Sequence, residues 1–465
     1  MENTRNYIYY DHTISLCIVC HKQISAKIIF EEGKVYLTKT CKEHGFQKVM
    51  IATDIEYYKH IRNYNKASEY PRKPHTATIH GCPYDCGICP DHEQHSCLTL
   101  IEVTERCNLT CPTCYASSSP THGRHRTLQE IEAMLDAIVA SEGSPDVVQL
   151  SGGEPTIHPD FFAILDLAKA RPIKHLMVNT NGIRIANDKD FVKELASYMP
   201  DFEVYLQFDS FKPEALRRLR GRDLTAVRKK ALEHLNELNL STTLVVTLER
   251  GVNDDEIGAI IDFALQQPCV RGVTFQPTQI SGRLENFDPA TGKLTPTEVR
   301  QKILEQSPVF QPNDLIPVPC NPDALTMAYA LKLKGHVQPL TRLIDPELLL
   351  NSSKNTIVYE QDPALHNYVM KMFSTGNSPL SASETFNQLL CCLPQVFAQG
   401  FTYNNLFRII IMNFMDAYDF DVRAIKKSCV HIVDPDGRII PFETMNLFYR
   451  PEFREKLENL RHEAI

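Results

Sequence analysis

Ten of the fifteen cysteines lie before residue 115, in three groups of short spacing. Clustered cysteines in a chain of this size point to metal ligation rather than disulfides, and the odd total argues against a full disulfide framework. In the first group, Cys17-Ile-Val-Cys20 is followed by Cys41-Lys-Glu-His44-Gly45. Cys17, Cys20, Cys41 and His44 suit a tetrahedral zinc or a single iron, with His21 a weaker alternative to His44. The second group, Cys82, Cys86, Cys89 and Cys97, offers four thiolates within sixteen residues. Four ligands close either an auxiliary [4Fe–4S] cluster, which could relay electrons, or a structural zinc. The third, Cys107-Asn-Leu-Thr-Cys111-Pro-Thr-Cys114, offers three thiolates, which leave one position open. Beyond it, Cys320, Cys391, Cys392 and Cys429 are scattered, and prolines beside Cys320 and after Cys392 set those two in loops. Cys320, Cys392 and Cys429 either hold a second auxiliary cluster or are buried apolar residues. Cys269, beside Pro268, reads as structural.

The elements around these groups change character along the chain. Residues 26–30 and 34–38 form a hairpin across Glu31-Glu32-Gly33, which brings the first two ligand pairs together. From residue 98 strands and helices alternate. Strands are expected at 98–104, 146–151, 175–179, 203–209, 242–248 and 272–276, and helices at 128–140, 161–170, 191–198, 213–238 and 254–266. Six strands joined by helices imply a parallel sheet whose right-handed crossovers curl it towards an open barrel, with the active site at the C-terminal strand ends. From residue 295 the pattern is mostly helical, with a polar stretch near 351–355 and a small hairpin at 432–440. Four regions are therefore expected: a metal knuckle at 1–75, a cluster segment at 76–97, a barrel at 98–285 and a helical domain at 286–465.

Composition narrows the function. A net charge of -8 gives no basic excess for nucleic acid. No apolar run approaches the ~18 residues of a membrane span, and the first ten residues lack the apolar core of a secretory signal. A cytoplasmic protein is expected.

The strand 101–104 running straight into Cys107, Cys111 and Cys114 resembles the signature of the radical S-adenosylmethionine (SAM) superfamily. That resemblance implies a partial (βα)6 radical SAM barrel, α/β in class, with an N-terminal cysteine-rich metal-binding segment and a mostly helical C-terminal domain. It implies that the three cysteines hold three irons of a [4Fe–4S] cluster, leaving the fourth iron to SAM. The chemistry implied is reductive cleavage of SAM to a 5′-deoxyadenosyl radical for C–H activation. Ser151-Gly152-Gly153-Glu154-Pro155 is similar to the family's glycine-rich segment, where Gly152 and Gly153 allow close approach and Glu154 accepts from the methionyl amine. Asn179 and Asn181 end the third strand. Gln207 and Asp209 end the fourth, where the family binds SAM ribose or carboxylate. The family's aromatic residue before the third cysteine is replaced by Thr113; Tyr115 either takes over adenine packing or is a core aromatic.

A rubredoxin-like knuckle, a four-cysteine segment, the cysteine loop and a tail with Ser428-Cys429-Val-His431 together resemble one group within the superfamily. It contains tetraether-lipid synthases, which couple isoprenoid tails, and dihydropterin methylases. A lipid substrate implies an apolar tunnel walled by residues 407–414 and 310–318, although 406–414 reads more readily as a core helix. A folate-like substrate implies polar groups such as Gln276, Gln279 and Arg283, the last an alternative ligand for the SAM carboxylate. The resemblance implies an electron donor such as flavodoxin or ferredoxin. A peptide-modifying maturase and a non-catalytic iron–sulfur electron carrier are the remaining readings; the SAM-contacting segment argues against the carrier.

Overall fold

In the computed structural model, residues 5–64, 70–333, 336–342 and 405–463 are described. Cys392 and the polar stretch at 351–355 lie outside them.

The N-terminal segment is a four-stranded antiparallel sheet in the order β1 (Ile8–Leu16), β2 (Gln23–Glu31), β3 (Lys34–Cys41) and β4 (Gly45–Ala52). The expected hairpin is its centre, β2–β3. The metal-ligand pairs sit at the β1–β2 and β3–β4 turns, on the same end of the sheet.

The main sheet begins with β5 (Leu98–Thr104), followed in chain order by the two-residue β6 (Thr113–Cys114) of a separate ladder. The arc continues through β7 (Val147–Gly152), β8 (His175–Thr180), β9 (Phe202–Gln207), β10 (Thr242–Leu248) and β11 (Val270–Pro277). These six pair in parallel in sequence order, as a βα repeat requires. Alternation divides their side chains. Ile101, Val103, Val148, Leu150, Val204 and Val246 pack outward beneath the helices, whereas Leu98, Leu100, Val147, Met177, Tyr205 and Val245 line the interior. The long helix expected at 213–238 is two helices, Pro213–Arg220 and Thr225–Glu237, because Gly221 at φ 80° closes the first in a left-handed cap.

The tail corrects one expectation. The run at 406–414, expected as a helix or tunnel wall, contains a strand, Leu406–Met412, lying parallel beside β11. A short apolar run does not distinguish strand from helix, and the open edge of the barrel decides it here. Leu325–Leu333 extends that edge antiparallel, and Val430–Val433 covers the other edge beside β5, with Ile439–Pro441 completing the expected hairpin. Tail strands thus flank the arc on both sides. Among the described residues no helix is long and apolar enough to cross a membrane.

Candidate functional site

The cysteine loop leaves β5 at Thr104. Cys107 and Cys111 are buried and Cys114 is half-buried. Two backbone bonds hold the loop against the end of β7, from Gly153 N to Thr104 O at 2.8 Å and from Glu154 N to Arg106 O at 2.9 Å. The glycines are required by that contact. A β-carbon on Gly152 would stand 2.1 Å from the Thr104 carbonyl oxygen, and one on Gly153 2.1 Å from that of Arg106. Arg283 clamps the loop from the other side, Nε donating to Cys111 O and Nη2 to Ser118 O, both at 2.6 Å. Its guanidinium is therefore engaged by the loop. Burial, with the Glu154 carboxylate nearby, pushes the Cys107 thiol up to about 12, and burial also raises Cys111.

The three cysteines open onto a cavity of about 140 Å³ in the barrel, lined also by Gly152, Gly153, Asn179, Asn181, Gln207 and Arg220. Gln149, Tyr205 and Gln276 line it as well, together with the apolar Leu98, Leu100, Met412, Phe414 and Phe442. Weak hydrogen bonds of 3.4 Å run from Gln207 to Asn179, from Asn179 to Ser151 and between Ser151 and Tyr115. Tyr115 lines the cavity and packs on Phe442, with ring centroids 4.9 Å apart. Asn181 is tied to the cysteine loop by a 2.6 Å bond to Asn108.

Two expected contacts stand behind this lining. Glu154 is 1% exposed, and its carboxylate accepts from Thr156, Thr180 and the Asn181 backbone. Asp209 is fully buried in a bidentate pair with Arg220, at 2.7 and 2.6 Å, with Arg228 3.6 Å away. Burial would raise the Asp209 carboxyl, but the two guanidinium groups outweigh it and hold it below the usual range. Asp209 thus presents Arg220 to the cavity. Sequence reading missed Arg220, which sits in the Arg217-Arg218-Leu219-Arg220 run of an amphipathic helix where nothing marks one arginine as inward-facing.

Among the described residues, the remaining thiols other than Cys269 fall into three groups. At the ribbon tip Cys20 and Cys41 Sγ are 3.9 Å apart, and His44 Nδ1 is 3.6 Å from Cys17 and 3.5 Å from Cys41. These separations fit a tetrahedral ion with bonds of about 2.3 Å to sulfur and 2.0–2.1 Å to nitrogen. His21 is not among these ligands. Next to the ribbon, Gln23 Nε2 donates to Cys82 O, and Cys82, Cys86 and Cys89 share a small pocket. Cys97 does not complete that group, contrary to its place in the sequence. It meets Cys320 and Cys429, all three thiols lying within 4.8 Å and Cys320 within 3.4 Å of Cys429. The cause is strand pairing: Leu98 at the start of β5 is registered with Val430, which brings the preceding cysteines together. A buried histidine pair bridges the two groups: His431 and His92 meet at 3.1 Å, three residues after Cys89 and two after Cys429.

Comparison with known proteins agrees with this layout. A family model for the radical SAM superfamily matches residues 101–264, and one for the HMPTM N-terminal zinc ribbon domain matches residues 9–53. A 7,8-dihydro-6-hydroxymethylpterin dimethyltransferase of Methanocaldococcus jannaschii is 31% identical over 482 residues, covering 96% of this chain and 95% of that protein. A mitochondrial GTP 3′,8-cyclase of Arabidopsis thaliana is 30% identical over 216 residues, 45% of this chain and 52% of the cyclase. The solved structure of Streptococcus suis SuiB bound to S-adenosylmethionine matches with a TM-score of 0.38 and 18% identity, over 45% of this chain and 46% of SuiB. The chain thus spans about half the length of the cyclase and of SuiB.

Proposed function

We propose, from the premise that this chain belongs to the radical SAM superfamily and is a radical SAM enzyme, that its radical is made at Cys107, Cys111 and Cys114 and acts on a pterin-class heterocycle held in the barrel. The observation that carries this reading is a single cavity lined both by the three thiols and by amide and hydroxyl groups, Gln149, Tyr205, Gln207 and Gln276. When bound, a [4Fe–4S] cluster supplies the electron that cleaves SAM to methionine and a 5′-deoxyadenosyl radical. The three thiolates hold three of its irons. Gly152 and Gly153 seat the loop against the end of β7, and Arg220, its charge fixed by Asp209, receives the SAM carboxylate. Asn179, Asn181 and Gln207 meet the ribose. The pterin-acting relative, similar over nearly its whole length, supports methylation as the outcome.

The apolar wall of Leu100, Met412, Phe414 and Phe442 favours a second reading, coupling of isoprenoid lipid tails. In either case the ribbon holds zinc or one iron, and the Cys82–Cys86–Cys89 and Cys97–Cys320–Cys429 groups hold auxiliary centres. Flavodoxin or ferredoxin is the electron donor, and a reducing cytoplasm suits the clusters. The test is anaerobic reconstitution with iron and sulfide, then assay of 5′-deoxyadenosine with dithionite beside either 6-hydroxymethyl-7,8-dihydropterin or an isoprenoid lipid. A methylated pterin supports the proposal. Coupled lipid with an untouched pterin replaces it with the second reading.

A further inference from the structure

Two polar side chains lining the cavity, Ser118 and Gln149, have a buried atom without a hydrogen-bond partner among the described residues, and Gln149 is the one set in a strand of the barrel wall. Gln149 points inward from β7, is 3% exposed, and its Nε2 is buried without a hydrogen-bond partner among the described residues. Its neighbours in register are apolar: Leu100 on β5 and Met177 on β8. Across the cavity, by contrast, Gln276 Nε2 donates to the Tyr205 hydroxyl at 3.2 Å. A buried amide without a partner destabilises a fold, and leucine or methionine would fill the same layer without that cost. A partner from outside the chain, a water or a ligand, would satisfy it. Its depth limits which partner. Gln149 lies two residues before Ser151, one inward-facing layer below the strand end that abuts the cysteine loop, on the substrate side of the SAM position proposed above.

We infer that Gln149 reads the cyclic-amide edge of the substrate ring. A carboxamide carries a donor and an acceptor side by side, so its complement is a ring carbonyl next to a ring N–H. Nε2 donates to that carbonyl and Oε1 accepts from that N–H. A hydrocarbon chain offers neither. The inference rests on the pterin-class reading and adds to it the residue that selects the ring.

The experiment measures binding of 6-hydroxymethyl-7,8-dihydropterin to the reconstituted full chain with SAM present, in wild type, Gln149→Met and Gln149→Glu, alongside their thermal midpoints. Gln149→Met should weaken binding about tenfold or more, the loss expected for a buried hydrogen bond, while its midpoint stays level or rises because an unpaired amide has gone. Gln149→Glu should also bind more weakly, since a carboxylate faces the ring carbonyl. KM should rise more than kcat falls. If wild type binds the pterin and Gln149→Met binds it equally well, Gln149 has no reading role and the pterin reading stands. A midpoint several degrees lower in Gln149→Met would make the residue structural and overturn the inference. If wild type binds no pterin, the substrate reading fails and this inference with it.

Discussion

Cys107, Cys111 and Cys114 come from one loop of eight residues, while Cys97, Cys320 and Cys429 come from the start of β5, the turn before Leu325–Leu333 and the residue before Val430–Val433. The loop is held from two sides, by the end of β7 and by the Arg283 clamp, which lies 172 residues from Cys111 in the chain. The second site forms only once the tail strands have docked on both edges of the arc, because pairing beside β5 is what brings Cys429 to Cys97. The motif thus supplies its three thiols from one segment, whereas the tail site reports that the whole sheet has assembled.

The strongest test of this difference removes the loop thiols. With Cys107, Cys111 and Cys114 all changed to alanine, 5′-deoxyadenosine formation should vanish and iron should fall by about four per chain, leaving the tail site loaded. Deoxyadenosine at the wild-type rate would end the assignment. The converse variant, Cys320→Ala, should empty the tail site while SAM cleavage with dithionite persists; metal analysis and the deoxyadenosine assay read the two separately. Loss of both together would mean that the loop depends on the tail site.

Docking itself rests on a buried pair: Arg450 reaches Glu102 on β5 at 2.6 and 2.8 Å. Arg450→Ala leaves a buried carboxylate uncompensated and should cost about 3–5 kcal/mol in urea unfolding. Pairing it with Glu102→Gln should recover part of that, and an unchanged midpoint would mean the tail is held elsewhere.

The smallest effect is one of pH, and it has opposite sign in the two regions. Asp209 in the arc has a folded pKa below its unfolded value, so its stabilisation is complete above the ordinary aspartate range, ~3.9, and is lost as pH falls through the folded value. Glu443, in the tail beside Ser428, is raised to about 7 by burial. Its contribution is complete below the ordinary glutamate range, ~4.3, and is lost as pH rises through about 7. Glu443→Gln should flatten the decline in stability between those limits, measured by urea titration at several pH values; an unaltered slope would assign the decline to another group.

The arc was legible because its strands are buried on both faces and rich in aliphatic and β-branched residues: 98–104 and 242–248 stand where expected. The glycines at 152 and 153 were also legible, although the structure uses them to seat the cysteine loop. Residues 406–412 were not legible as a strand, since an apolar run of that length satisfies either element until β11 offers it an edge. Arg220 and Gln149 were missed because an arginine among arginines and a glutamine within a strand carry no local mark of what they face.

The sequence by itself determined the βα arc, the cysteine loop at its first strand end and the ligand pairs of the ribbon. Each depends on contacts within a few residues or on a repeated pattern of burial. Only the tertiary structure decided that Cys97 leaves its sequence neighbours for Cys320 and Cys429, that Asp209 acts through Arg220, and that Gln149 stands unpaired in the cavity. These depend on which strands share an edge and which side chains share an interior. Such relations are set by long-range pairing, which sequence spacing does not encode.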